Sequence, residues 1–79
     1  MEVELRLSAT LRDYVPGYNP ETGMAVSIGE NTSALDLANS LGLPSNKIKF
    51  IMINGRHVPI ETTLSAGDRL AYFPAVGGG

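Results

Sequence analysis

Only one stretch of this chain is spaced for a helix of useful length, the run from Ser33 to Gly42, and the longer patterned segments on either side alternate as strands do. One helix must therefore cover one face of whatever sheet those strands form. Thr32 and Ser33 are both suitable N-caps, and Ser33 with Asp36 three residues on resembles a capping box in which the shorter acid replaces Glu. The inward stripe is expected at Leu35, Ala38 and Leu41, with Ala34 and Leu37 as further candidates. Gly42 stands where a left-handed C-cap is wanted, two residues before Pro44. A helix this short depends on tertiary packing for its stability.

Residues 2 to 8 alternate strictly, Val3, Leu5 and Leu7 on one face and Glu2, Glu4, Arg6 and Ser8 on the other, the pattern of a half-buried strand. Ala9 to Val15 loses that alternation and has room for one or two helical turns before Pro16-Gly17, and Pro16 to Gly23 reads as a loop. Met24, Val26 and Ile28 alternate with Ala25 and Ser27 as a second strand ending at Gly29. Ile48 to Ile53 is apolar except for Lys49, which fits a strand covered on at least part of both faces. Asn54-Gly55 supplies a tight hairpin turn back through Arg56-His57-Val58, and Pro59 marks a return strand that is short or at a sheet edge. After the turn cluster Ser65-Ala66-Gly67-Asp68, Arg69 to Phe73 forms the last strand, with alternation silent on whether Tyr72 or Phe73 faces inward. This order of elements predicts an α+β fold of the ubiquitin-like β-grasp kind, a small mixed sheet with one main helix on one face. Residues 1–74 would be the domain and residues 75–79 a flexible C-terminal Gly-Gly tail.

With 79 residues the chain is too small to enclose a deep substrate pocket and keep a core, so catalysis by this chain alone is not expected. Six Lys plus Arg against eight Asp plus Glu, with no basic stretch, argue against nucleic acid as a partner. Cysteine is absent and His57 is the single histidine, so neither thiolate chemistry nor a metal site is expected. The acidic start has no signal-peptide character and no segment is apolar enough to span a membrane, which together predict a cytoplasmic protein without a membrane partner. His57 beside a hairpin turn reads as an exposed turn residue rather than a base, Asp68 after Gly67 as a turn former rather than an acid, and Lys47 and Lys49 as solvating one strand edge.

Gly77-Gly78-Gly79 follows the last strand and fills no turn or cap. Glycine is costly to order and adds no side chain to packing, so these residues suit a slender segment able to enter a channel too narrow for any β-carbon. The reactive group would be the Gly79 carboxylate, which at its ordinary pKa of about 3.3 to 3.7 is ionised and a poor electrophile. Adenylation by a partner using ATP and Mg²⁺ would activate it toward a sulfur or nitrogen nucleophile. No cofactor is expected to be bound permanently by this chain.

The run Leu64-Ser65-Ala66-Gly67-Asp68-Arg69-Leu70-Ala71-Tyr72-Phe73-Pro74-Ala75-Val76-Gly77-Gly78-Gly79 resembles the ending of MoaD/ThiS-type sulfur carriers, above all the small subunit of molybdopterin synthase with its L-x-x-G-D-x-hydrophobic-x-x-F-P-P-V-x-G-G pattern. Ala75 replaces the second proline. The resemblance extends back through Asn54-Gly55 and the single helix to Leu11-Arg12-Asp13-Tyr14, so it covers the whole chain, with Leu7 and Ser8 standing where family members often carry aromatics. It implies that an E1-like enzyme adenylates Gly79, a persulfide donor supplies sulfur, and the resulting thiocarboxylate enters the large synthase subunit to donate sulfur to cyclic pyranopterin monophosphate. Phe73, Pro74, Val76, Gly77 and Gly78 would contact the partner enzymes. The alternatives are a carrier for thiamine or another sulfur pathway, a ubiquitin-like modifier joined to lysines, and a passive β-grasp interaction domain.

Overall fold

The computed structural model describes residues 1–75. Within them lie β1 (Glu2–Leu7), β2 (Met24–Ser27), α1 (Ala34–Leu41), β3 (Ile48–Ile53), β4 (Arg56–Val58) and β5 (Arg69–Pro74). The strands form one sheet in the order β2-β1-β5-β3-β4, with β1 and β5 parallel and the other neighbours antiparallel. This is the ubiquitin-like β-grasp that the element order predicts.

The alternation of β1 sets which residues enter the core. Val3, Leu5 and Leu7 are buried, and the registers Leu5↔Leu70 and Leu7↔Tyr72 carry their inward orientation to β5. The pairs Ile51↔Tyr72 and Ile53↔Leu70 carry it on to β3. Leu11, Val15, Leu43 and Leu64 close the core from the connecting segments. Each large aliphatic side chain buried this way stabilises the fold by about 1.5–3 kcal/mol. The turns predicted between Ala9 and Val15 form a 3₁₀ helix over Ala9–Tyr14 that buries Leu11. Pro16 to Gly23 is a loop held to β1 by the Leu7 N–H, which donates to the Tyr18 hydroxyl at 2.8 Å. Gly23 has φ +73°, and a β-carbon there would lie 3.0 Å from the Leu5 carbonyl oxygen, so this close approach demands glycine.

The capping box forms as expected, Asp36 N–H donating to Ser33 Oγ at 3.0 Å and Ser33 N–H to Asp36 Oδ2 at 3.1 Å. At the other end Gly42 takes φ +80° and the Leu43 N–H reaches back to the Ala38 carbonyl, which ends the helix as a Schellman motif. The inward stripe differs from the expected one: Ala34, Leu37 and Ala38 are buried, whereas Leu35 and Leu41 are only half-buried. The first turn is rotated by its surroundings. The Ala34 and Leu35 amides donate to the Thr62 and Ile60 carbonyls, and the Tyr72 hydroxyl donates to the Ala34 carbonyl at 2.6 Å. The Tyr72 hydroxyl thus meets the helix backbone at Ala34 and Ala38, two positions whose side chains are small and buried.

The hairpin after β3 turns through Asn54 (φ +54°) and Gly55 (φ +82°). Asn54 also clasps the turn before β5: its Oδ1 accepts from Arg69 N–H at 2.9 Å and its Nδ2 donates to Asp68 Oδ1 at 2.9 Å. Asp68 Oδ2 accepts from Ser65 N–H at 2.7 Å, so Asp68 is the turn former that the sequence indicates. β4 is a short edge strand that stops at Pro59, as expected. No helix of the described residues is long and apolar enough to cross a membrane.

Candidate functional site

α1 covers one face of the sheet, and among the described residues no second α-helix or sheet packs on the other. Alternation delivers Glu4 and Arg6 from β1, Ala71 and Phe73 from β5, Phe50 and Met52 from β3, and His57 from β4 to this open face. Phe50 and Phe73 are direct partners in the β3–β5 ladder, and their rings lie nearly parallel, 4.5 Å between centroids at 8°. His57 packs edge-on against Phe50 at 4.9 Å and 64°. Met52 sits between Ala71 and His57 in register. The result is an apolar strip across three strands, half-buried except at exposed His57. Aromatic contacts of this kind add about 0.5–1.5 kcal/mol beyond area burial.

Beside the strip the face is charged. Glu4 accepts from Arg6 Nε at 2.6 Å, with Arg69 Nε at 3.7 Å. The Arg6 hydrogen bond, helped by the charges of Arg6 and Arg69, holds the Glu4 carboxyl below its ordinary value against a smaller effect of burial.

The chain leaves the sheet at the edge of the strip. Pro74 is in register with Ile48, and the exposed Ala75 donates its N–H to the Lys47 carbonyl at 2.9 Å. Of the residues that the sequence singles out, Phe73 is therefore placed on the open face and Pro74 at the exit, while Val76, Gly77, Gly78 and Gly79 lie outside the described residues. Tyr72 is the residue that faces inward. Its burial raises the phenol pKa, opposed in part by the nearby Ala38 backbone. Lys49 is exposed at the start of β3 with Lys47 just before it, as expected of edge-solvating residues. His57 meets an aromatic ring and has no hydroxyl or carboxylate partner among the described residues, so the structure supplies no general-base pairing for it.

Sequence reasoning missed Phe50 and Met52. The signal was present in Ile48 to Ile53, apolar on both faces in a chain with a single helix; with one face covered by α1, the apolar residues of the other are left half-buried in the strip rather than covered as expected. The strip carries no hydroxyl, thiol or amine, and its one titratable side chain, His57, packs on an aromatic ring. It is an apolar surface next to the point where the chain leaves β5.

A family model described as Mut7-C ubiquitin matches residues 1–77. No match is found among curated proteins. Among solved structures the chain is similar to SAMP1 from Haloferax volcanii, at 22% identity and a TM-score of 0.71 over 100% of both chains. It is also similar to the Haloferax volcanii HVO 2177 protein, at 29% identity and a TM-score of 0.76 over 100% of this chain and 87% of that one. A third likeness is to the complex of subunits 1 and 2 of molybdopterin-converting factor from Helicobacter pylori, at 20% identity and a TM-score of 0.61 over 100% of both chains.

Proposed function

This chain belongs to the Mut7-C ubiquitin family, a MoaD/ThiS-like group of ubiquitin-like β-grasp proteins, and from that premise we propose that it is a sulfur carrier that works as the small subunit of a molybdopterin synthase. The observation that carries the proposal is the segment Phe73-Pro74-Ala75-Val76-Gly77-Gly78-Gly79, rooted by an outward Phe73 beside an apolar strip. An E1-like enzyme binds the strip and adenylates the Gly79 carboxylate with ATP and Mg²⁺, releasing pyrophosphate. A persulfide donor then displaces AMP through its terminal sulfur, and a thiol reduces the resulting acyl disulfide to free the thiocarboxylate. The large synthase subunit takes in the glycines, and the sulfur passes to cyclic pyranopterin monophosphate. Phe73, Pro74 and Val76 contact both enzymes in turn, and Gly77 and Gly78 thread the channel. The named Helicobacter pylori complex of subunits 1 and 2 supports a large-subunit partner of this type.

A second reading keeps the adenylate and replaces the sulfur acceptor by lysines of other proteins. It is favoured by the likeness to a small archaeal modifier protein, whose TM-scores of 0.71 and 0.70 exceed the 0.61 of the molybdopterin-converting complex.

Mass spectrometry of the peptide Leu70 to Gly79, released by cleavage after Arg69, tests the common step. That peptide contains no methionine, so oxidation cannot mimic exchange of oxygen for sulfur. After incubation with an E1-like enzyme, ATP and a persulfide donor, the expected product is a thiocarboxylate trapped by a thiol-selective alkylating reagent. An unmodified peptide with a demonstrably active enzyme refutes the carrier reading. Gly-Gly remnants on lysines of other proteins, in cells lacking deconjugating enzymes, would transfer support to the modifier reading. Sulfur transfer that survives deletion of Gly78 and Gly79 in a reconstituted synthase would overturn both the role of Gly79 and the synthase assignment.

A further inference from the structure

A groove at the edge of β3 borders the aromatic strip and shares Phe50 and His57 with it. Leu35 from the first turn of α1, Ile48 to Ile51 of β3 and the return segment Val58 to Glu61 enclose this groove of about 420 Å³. Its size is within the range of about 300–1,000 Å³ common for ligand clefts, and Leu35, Ile48, Val58 and Ile60 give it half-buried apolar walls.

The groove runs along an unfinished strand edge. β4 pairs with β3 only from Ile51↔Val58 to Ile53↔Arg56, because Pro59 follows and cannot donate to the ladder. Ile48, Lys49 and Phe50 therefore have β5 on one side and, among the described residues, no strand on the other. The β3–β5 register shifts between Ile48 and Phe50, and this irregularity leaves Lys49 without a register partner in that ladder. Backbone groups on such an edge can be completed by an added strand, with alternate side chains seated in an adjoining groove.

Charge selects the occupant. Lys49 is exposed and makes no ion pair among the described residues, whose carboxylate pairs all involve Glu4. A second copy of this chain pairing here about Lys49 would set lysine against lysine, a destabilising juxtaposition. An extended partner segment with an acidic residue opposite Lys49 gains instead, and Glu61 at the far side of the groove disfavours the acid there. We infer that the groove beside the start of β3 binds an extended, aliphatic peptide segment of a partner protein, added as a strand against Ile48 to Phe50 with an acidic residue paired to Lys49. This surface needs no activated Gly79, so it stands or falls apart from the sulfur-carrier proposal.

The test is a titration of the full, ¹⁵N-labelled chain with an N-acetylated, C-amidated Glu-Val-Thr-Val-Thr peptide, followed by amide chemical shifts. Saturable shifts confined to Ile48–Ile51 and Val58–Glu61 are expected, with slowed exchange of amides along Ile48 to Phe50. The exposed substitution Lys49→Glu, its fold verified from the same spectra, is expected to weaken binding about tenfold, which corresponds to about 1.4 kcal/mol. A Lys-Val-Thr-Val-Thr peptide should reverse that preference, binding Lys49→Glu better than the unaltered chain. Shifts centred on Ala71 and Phe73, shifts along the free edge of β2, absence of saturation, or affinity indifferent to the charge swap would each overturn the inference.

Discussion

Tyr72 and Phe73 are adjacent aromatic residues on β5, and the sheet assigns them to opposite faces. Tyr72 is 0% exposed, its hydroxyl bonded to the Ala34 carbonyl beneath the helix. Phe73 lies half-buried on the uncovered face, stacked on Phe50. One residue ties sheet to helix; the other belongs to a surface that the rest of the described chain leaves half-open. The difference teaches that burial within the chain marks what the fold needs, while an apolar strip left at the sheet surface marks what the fold presents.

That contrast can be broken most directly by truncating each ring. Tyr72→Ala removes a fully buried aromatic and the helix contact together, and should cost about 3–5 kcal/mol in denaturant unfolding, much of the stability of a domain this small. Phe73→Ala should cost only about 1 kcal/mol, mainly the lost stack on Phe50, while on the proposed function its binding to an E1-like enzyme weakens severalfold. Equal stability losses from the two substitutions would dissolve the distinction between the faces.

A finer version uses pH. Tyr72→Phe keeps the ring and loses a hydrogen bond worth about 1 kcal/mol near neutrality. The folded-state pKa of Tyr72 is raised above its ordinary 10.0, so the stability linked to this proton is fully present below that pH and declines as pH rises above it. The gap between the unaltered chain and Tyr72→Phe should therefore narrow as thermal melts move above pH 10.0. A gap that widens there would contradict the burial of the phenol.

The smallest effect is expected on the open face. Glu4 has its pKa depressed by Arg6 and Arg69, so its contribution is present above the ordinary value of 4.5 and is lost as pH falls through the lower folded-state value. Melting temperatures of Glu4→Gln and the unaltered chain should differ slightly at neutral pH, in the unaltered chain's favour, and converge in acid. Added salt should shrink the difference, since the pair is exposed to solvent.

The same contrast explains how much of the molecule is legible in its sequence. β1, the Ser33–Asp36 capping box, the Gly42 cap, the Asn54-Gly55 turn and the edge position of β4 are each specified by residues within a few positions of one another, and all appear where the sequence places them. The helix stripe was less legible. Its first turn is oriented by the carbonyls of Ile60 and Thr62 and by Tyr72, contacts that apolar spacing over eight residues does not encode. Tyr72 and Phe73 could not be told apart for the same reason, because the inward side of β5 follows from its parallel register with β1. At the candidate site Phe73 and Pro74 stood out through the motif around them. Phe50 joins Phe73 only through the β3–β5 ladder, across more than twenty positions of chain, and no local rule announces it.

The parallel pairing of β1 with β5 also has a mechanical consequence. Met1 and Ala75 lie beyond opposite ends of that strand pair, so force drawing them apart loads its hydrogen bonds together, in shear, rather than one at a time as in unzipping. A partner that tugs on the last residues while the N-terminal strand is held pulls against the stiffest direction of the sheet.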